Sequence, residues 1–294
     1  MTNNSTDRLI MGAMRLGSWG ANFTTLQFGE FIQECLELGI YRWDHADIYG
    51  DYSTEEAFGK IFQISPSLRD KISIITKCGI RRVCEARPDH KSKAYDSSAD
   101  HIRSSVENSL RAFHTDHIDT LLLHRPDYLM EADEIGECIA DLQSQGKVIS
   151  FGVSNFTTSQ IDLLSQYVKI QVHQIEVSLT NLGAIAHGDI DYAMRHDIEV
   201  QSWSPLSGGE LFSKDRSDRA RRIYQAACDL QEAYDAEADQ IILAWVLRHP
   251  AQIATILGTT KIDRVRNSIK ALDIHLSRED WYRLWQASTG KRLA

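Results

Sequence analysis

Short apolar runs rich in β-branched residues alternate with longer stretches of helical spacing along almost the whole chain, and this alternation constrains the fold more than any other feature. It is the pattern of βα units around a parallel sheet, where strands are buried on both faces and each helix shows one apolar stripe. The runs predict eight strands, at residues 8–12, 41–46, 72–77, 118–124, 149–154, 170–175, 199–204 and 254–257. Between them, Ile102, Val106, Leu110 and Phe113 recur at three or four residues and predict a buried helix face. Ile135, Cys138, Ile139 and Leu142 predict another, stopping at Gly146, which suits a helix C-terminus. Eight such units in about 250 residues predict an α/β fold of the (β/α)8 TIM-barrel kind. A doubly wound sheet would carry a glycine-rich phosphate turn after its first strand, and no GxGxxG stands there. With no Pro/Gly/Ser linker and no shift in composition, a single domain over residues 1–294 is expected. Two segments read as additions: the polar stretch 81–98, a wall of a pocket at the C-terminal barrel face or simply a solvated loop, and a C-terminal helix near 278–287.

Composition narrows the function. Lys and Arg number 32 against 41 Asp and Glu, for a net charge of -9, whereas a nucleic-acid surface would show a basic excess. A phosphate-bearing ligand must therefore meet a local cluster of cations. The opening residues lack a basic stretch followed by an apolar core, so no signal peptide is expected, and no apolar run approaches a membrane span. Cys35, Cys78, Cys84, Cys138 and Cys228 contain no CxxC pair, which fits reduced thiols in a cytoplasm and no structural zinc. None of the eleven histidines forms HExxH, so no metal site is expected.

In a barrel, functional side chains sit where strands give way to loops. Asp44 stands at the end of the second predicted strand, within GIYRWDHADIYGDYSTEEAFGK, with Tyr49 five residues on; Lys77 closes KISIITK and His124 closes IDTLLLHRP. A buried lysine is costly without a partner, and Asp44 is the natural one. An ammonium beside Tyr49 is expected to lower its phenol pKa, making it a proton donor to a carbonyl oxygen that gains negative charge, with His124 orienting or sharing the proton. Taken singly, each has an ordinary reading: Asp44 as a loop anchor, Tyr49 as packing, His124 as a satisfied hydrogen bonder. Their arrangement on three successive strands is much less ordinary.

In this order and spacing the residues resemble the aldo-keto reductase superfamily, and the likeness runs from RLIMGAMRLGSW to GTTKIDRVRNSIKAL. The resemblance implies a catalytic tetrad of Asp44, Tyr49, Lys77 and His124, with Tyr49 as general acid, and a nicotinamide cofactor lying across the barrel mouth with neither a Rossmann domain nor a metal. It places Ser154, Asn155 and Gln174 on the carboxamide, Trp203 against the nicotinamide ring, and Ser204, Leu206 and Gly208 near the pyrophosphate. Gly258, Thr259, Thr260, Lys261 and Arg264 resemble a 2′-phosphate site, where hydroxyls, backbone N–H groups and a guanidinium suit a phosphate; NADP is therefore expected over NAD. Asn267 would reach the adenine edge, and Met14, Arg15 and Trp19 would border the nicotinamide and substrate, Arg15 favouring anionic or polar substrates. The chain departs from the family at Ser268 and His173, where asparagine is usual. The implied activity is NADPH-dependent reduction of an aldehyde or ketone by hydride transfer, in a cytoplasmic monomer. A different class also fits, an NADP-binding regulatory or redox-sensing subunit with little turnover; a metal-dependent barrel hydrolase lacks ligands at the strand ends.

Overall fold

The structure is a computed structural model that describes residues 5–294; residues 1–4, which open the segment read above for a leader, lie outside the described residues. Eight strands hydrogen-bond in chain order and close into a barrel: β1 (Leu9–Gly12), β2 (Arg42–Asp44), β3 (Ser73–Cys78), β4 (Ile118–Leu123), β5 (Val148–Ser154), β6 (Val172–Glu176), β7 (Glu199–Trp203) and β8 (Ala254–Leu257). The expected (β/α)8 fold is thus the one observed. β8 has the bounds read from the sequence; the others shift at their ends. β7 stops one residue short because Ser204 (φ 51°) adopts left-handed backbone that no strand can continue, and β5 ends where expected, before left-handed Asn155 (φ 61°). β2 is shorter than its apolar run, but His45 and Asp47 still donate backbone N–H groups to Ile75 and Lys77 on β3, at 2.8 and 3.0 Å. No helix among the described residues is long and apolar enough to cross a membrane.

Chain contacts divide the protein into two compact units, residues 10–174 with Gly258–Thr260, and the remainder. In the first unit the helices are α1 (Thr25–Glu37), α2 (Thr54–Ile64), α3 (Ala99–Phe113), α4 (Ala132–Ser144) and α5 (Thr158–Leu164). The apolar stripes expected on α3 and α4 are buried. Gly146 follows α4 at φ 71°, donating to Gln143 O, so the chain turns where the sequence predicted. Phe58 of α2 anchors an aromatic cluster, edge-to-face with Phe28 and Phe113 and tilted against Trp43, at 5.6, 6.2 and 5.2 Å between ring centroids. A side chain on Gly59 would meet Ala112 O at 2.1 Å, so glycine here lets α2 approach α3 closely. That approach sets Glu55 of α2 against Ser109 of α3.

The second unit carries α6 (Gly183–Ala186), α7 (Asp189–Arg195), α8 (Asp218–Cys228), α9 (Gln231–Tyr234), α10 (Ala238–Leu247), α11 (Ile262–Ile269) and α12 (Arg278–Thr289). α10 is buried from Gln240 to Leu247, where seven apolar residues follow Gln240 without a polar break. The expected C-terminal helix is α12, capped by the Ser277 hydroxyl on Asp280 N and ended by left-handed Gly290. Trp281 of α12 stacks on Trp245 of α10, with centroids 4.8 Å apart and planes 12° from parallel. Each indole N–H donates to the other residue's carbonyl, at 3.1 and 3.0 Å.

Candidate active site

The register places the functional strand ends side by side: Asp44 of β2 opposes Ile75 of β3, and Lys77 of β3 opposes Leu122 of β4, one residue before its last. Lys77, fully buried, aims its ammonium at three acceptors: Asp44 Oδ1 at 2.7 Å, His45 O at 2.6 Å and the Tyr49 hydroxyl at 3.2 Å. An ammonium has three protons, so its capacity is used in full. The Tyr49 ring lies edge-on to His124, with centroids 6.1 Å apart. All four expected tetrad residues therefore meet in one cluster, within the first unit.

Electrostatics corrects one expected shift. Burial opposes the Lys77 charge, but Asp44 and Tyr49 favour it more, and the ammonium is held above its ordinary pKa. Tyr49 was expected to be lowered by Lys77. Burial raises it more than Lys77 lowers it, so the phenol sits above its ordinary value and keeps its proton at neutral pH. His124 is driven well below the usual histidine range by burial and then by Lys77, Arg125 and Lys93. It is a neutral imidazole, able to donate a hydrogen bond without carrying charge.

Three further polar residues join this cluster. Ser154 ends β5 opposite Gln174 of β6. Asn155, in its left-handed conformation, takes Gln174 O with its backbone N–H at 3.0 Å, and donates its amide to Ser154 Oγ at 2.7 Å and His124 O at 3.4 Å. Gln174 in turn donates Nε2–H to Asp44 Oδ1 at 2.8 Å. His173, next to it on β6, faces the other way; its ring is buried and burial lowers its pKa to about 4, so it packs as a neutral ring. Met14 and Arg15 follow β1 and are exposed.

In the second unit, Trp203 ends β7 and is half-buried. The loop after it is built for close backbone approach: Ser204, Ser207, Gly208 and Gly209 all have positive φ, and nothing stands within 4 Å of where a side chain on Gly208 or Gly209 would project. Leu206 lies between them. Lys261 and Arg264, at the start of α11, are exposed cations. Ser268, at a departure noted above, returns its hydroxyl to Arg264 O at 2.9 Å. The Asn267 amide donates to Asp239 at 3.1 Å and accepts from Gln240 at 2.7 Å, both on α10. Gly258, Thr259 and Thr260 are grouped with the first unit; a side chain on Gly258 would meet open space.

Sequence reading passed over the surroundings of Tyr49. Behind Lys77, Glu55 is buried, its two oxygens accepting from the Thr76 hydroxyl and from Ser109 Oγ at 2.9 Å. Burial lifts its carboxyl to about 7. Burial, and then Glu55, raise Asp47 well above the carboxylate range. After Tyr49, Gly50, Asp51 and Tyr52 are all left-handed, at φ 59, 56 and 70°, which costs about 1–2 kcal/mol at each non-glycine position. Aspartate tolerates such a conformation better than most residues, but nothing about Tyr52 announces it in sequence.

The fold and the cluster together define a closed parallel barrel with a buried ionisable cluster at its strand ends. The aldo/keto reductase family pattern matches residues 8–288, and the chain belongs to that family. It is 39% identical over 286 residues to the uncharacterized oxidoreductase YcsN of Bacillus subtilis, covering 96% of this chain and 94% of the relative. It is 38% identical over 289 residues to a 6-dehydroglucose reductase of Agrobacterium fabrum, covering 98% and 96%. A crystal structure of a thermostable aldo-keto reductase with the inhibitor epalrestat superposes with a TM-score of 0.79 at 23% identity, covering 95% of this chain and 94% of the other.

Proposed function

We propose that the protein reduces an aldehyde or ketone to an alcohol with NADPH, with Tyr49 as general acid. The observation that carries this reading is the Lys77 ammonium, saturated by Asp44, His45 O and the Tyr49 hydroxyl, beside a neutral His124. A bound nicotinamide supplies the hydride. The donor set fits such a group: Ser154, Asn155 and Gln174 offer a hydroxyl and two amides for its carboxamide, and the open left-handed backbone around Ser204, Leu206 and Gly208 suits a pyrophosphate. Gly258, Thr259, Thr260, Lys261 and Arg264 provide small residues, hydroxyls and cations for a 2′-phosphate, which favours NADP over NAD.

In this mechanism, Tyr49 keeps its proton until negative charge develops on the carbonyl oxygen. The adjacent Lys77 then stabilises the phenolate left behind, because its charge acts at short range in a water-poor site. Asp44 holds Lys77 in place, and His124 orients the carbonyl by donating a hydrogen bond. Two relatives are named for 6-dehydroglucose reduction, so an oxidised sugar heads the substrate panel, followed by carboxylated aldehydes that would engage Arg15. A cytoplasmic monomer is the setting this reading takes.

The test joins cofactor titration by tryptophan fluorescence, NADPH against NADH, to steady-state oxidation with 4-nitrobenzaldehyde. Wild-type protein turns over, and Tyr49→Phe loses at least about 100-fold in kcat while binding NADPH as before. Tight binding by a wild-type protein that turns nothing over would instead identify a sensing subunit.

A further inference from the structure

The three left-handed residues after Tyr49 are restrained by the segment that follows β3. That segment begins with a two-stranded antiparallel ribbon, Ile80–Arg81 paired with Ala94–Tyr95. Arg82, just past its first strand, meets Asp51 with Nε at 2.6 Å and lays its guanidinium over the Trp19 indole, 4.7 Å from the ring. Trp19 also donates to the Asp51 carboxylate, and Arg82 and Trp19 together hold that carboxyl below its ordinary pKa. The other face of the assembly is the active site: Trp19 lies against Tyr49, with centroids 6.1 Å apart and planes tilted by 56°. Tyr52 is fixed in parallel. Its hydroxyl donates to Ile80 O at 3.2 Å and accepts from Arg82 N at 3.0 Å, while Arg87 covers its ring at 4.4 Å.

We propose that Arg82 is a positioning residue for the reaction: through Asp51 and Trp19 it clasps the left-handed turn and sets the placement of Tyr49. The inference rests on the reductase reading. Left-handed backbone at two non-glycine residues persists only where the surroundings over-determine it, and Asp51 and Tyr52 are the two residues that this segment grips. The Tyr49 hydroxyl must stay within hydrogen-bond reach of both Lys77 and a carbonyl oxygen, so small displacements are expensive in rate. The Arg82–Asp51 pair has side chains 41% and 43% exposed, so salt weakens it, whereas the buried Lys77–Asp44 pair is shielded. The placement of the general acid thereby acquires a salt dependence that the buried tetrad alone would not show.

The test is the single-turnover rate of NADPH oxidation with neutral 4-nitrobenzaldehyde, at saturating cofactor, for wild type, Arg82→Ala and Arg82→Lys. Arg82→Ala is expected to be about tenfold slower with NADPH affinity unchanged, and Arg82→Lys, which keeps the charge but not the planar fork, intermediate. The wild-type rate should fall about threefold between roughly 0.02 and 1 M NaCl, and the Arg82→Ala rate should not. A purely structural role would not move that salt response. If Arg82→Ala does not fold, Tyr52→Phe, which removes only the bridging hydroxyl, should slow the step by about threefold. Rates within about twofold of wild type for the folded variants, at every salt concentration, would overturn the proposal. Silence of the wild-type enzyme itself would fell the reductase reading, and this inference with it.

Discussion

Gln174 donates its amide N–H to Asp44 at 2.8 Å, on the same carboxylate oxygen that the Lys77 ammonium meets at 2.7 Å. The two residues lie 130 positions apart in the chain. Gln174 is proposed to read the cofactor carboxamide, and Asp44 anchors Lys77. Because Nε2 is committed to Asp44, the orientation of the Gln174 amide is fixed by the tetrad, and the two halves of the site share one buried oxygen.

Gln174→Glu tests that shared oxygen. At pH 8 a second carboxylate would lie against Asp44 in a buried site, and we expect about 3 kcal/mol of lost stability. At pH 5 the new carboxyl can hold a proton and donate it as the amide did, so the loss should be smaller. Urea unfolding at the two pH values checks this; an equal loss at both would mean that the bond to Asp44 is not what the substitution disturbs.

Glu55 makes stability depend on pH in a less usual direction. Burial raises its carboxyl from 4.5 to about 7 in the folded protein. Below about pH 4.5 both folded and unfolded forms hold the proton; between 4.5 and 7 only the folded form does, so unfolding releases a proton and stability falls as pH rises. Above 7 the contribution is level, at an expense of about 3 kcal/mol. Subtracting the Glu55→Gln stability curve from that of wild type should reveal this decline, and a flat difference across the window would refute it.

His124 should remain neutral throughout the working range, since burial and three neighbouring cations oppose its charge. In proton NMR, the imidazole signal that disappears in His124→Gln should not titrate between about pH 5.5 and 8, where an ordinary histidine moves. A midpoint near 6.5 would show that the ring can charge, and would require a different account of how it meets the carbonyl.

Lys77 and Asp44 were legible because a lysine closing an apolar strand leaves almost no alternative to a buried partner, and the strand order brought one next to it. The α3 stripe was legible for a similar reason: Ile102, Val106, Leu110 and Phe113 fit one helical face and no strand. The shift of Tyr49 was not. Sequence supplied its neighbour but not its depth, and burial outweighs the ammonium. The segment 81–98 left two readings open because its polar composition suits solvent as well as the wall of a pocket.

The paired indoles of Trp245 and Trp281 give the protein an internal optical gauge. Two such chromophores 4.8 Å apart and 12° from parallel share their excitation, and near-ultraviolet circular dichroism will register that coupling for as long as α12 stays seated on α10. Only three of the six tryptophans, Trp245, Trp281 and Trp285, form this C-terminal stack, so its signal reports on the second unit alone. Loss of the couplet during heating would therefore time the release of the last helix separately from any change around Trp19.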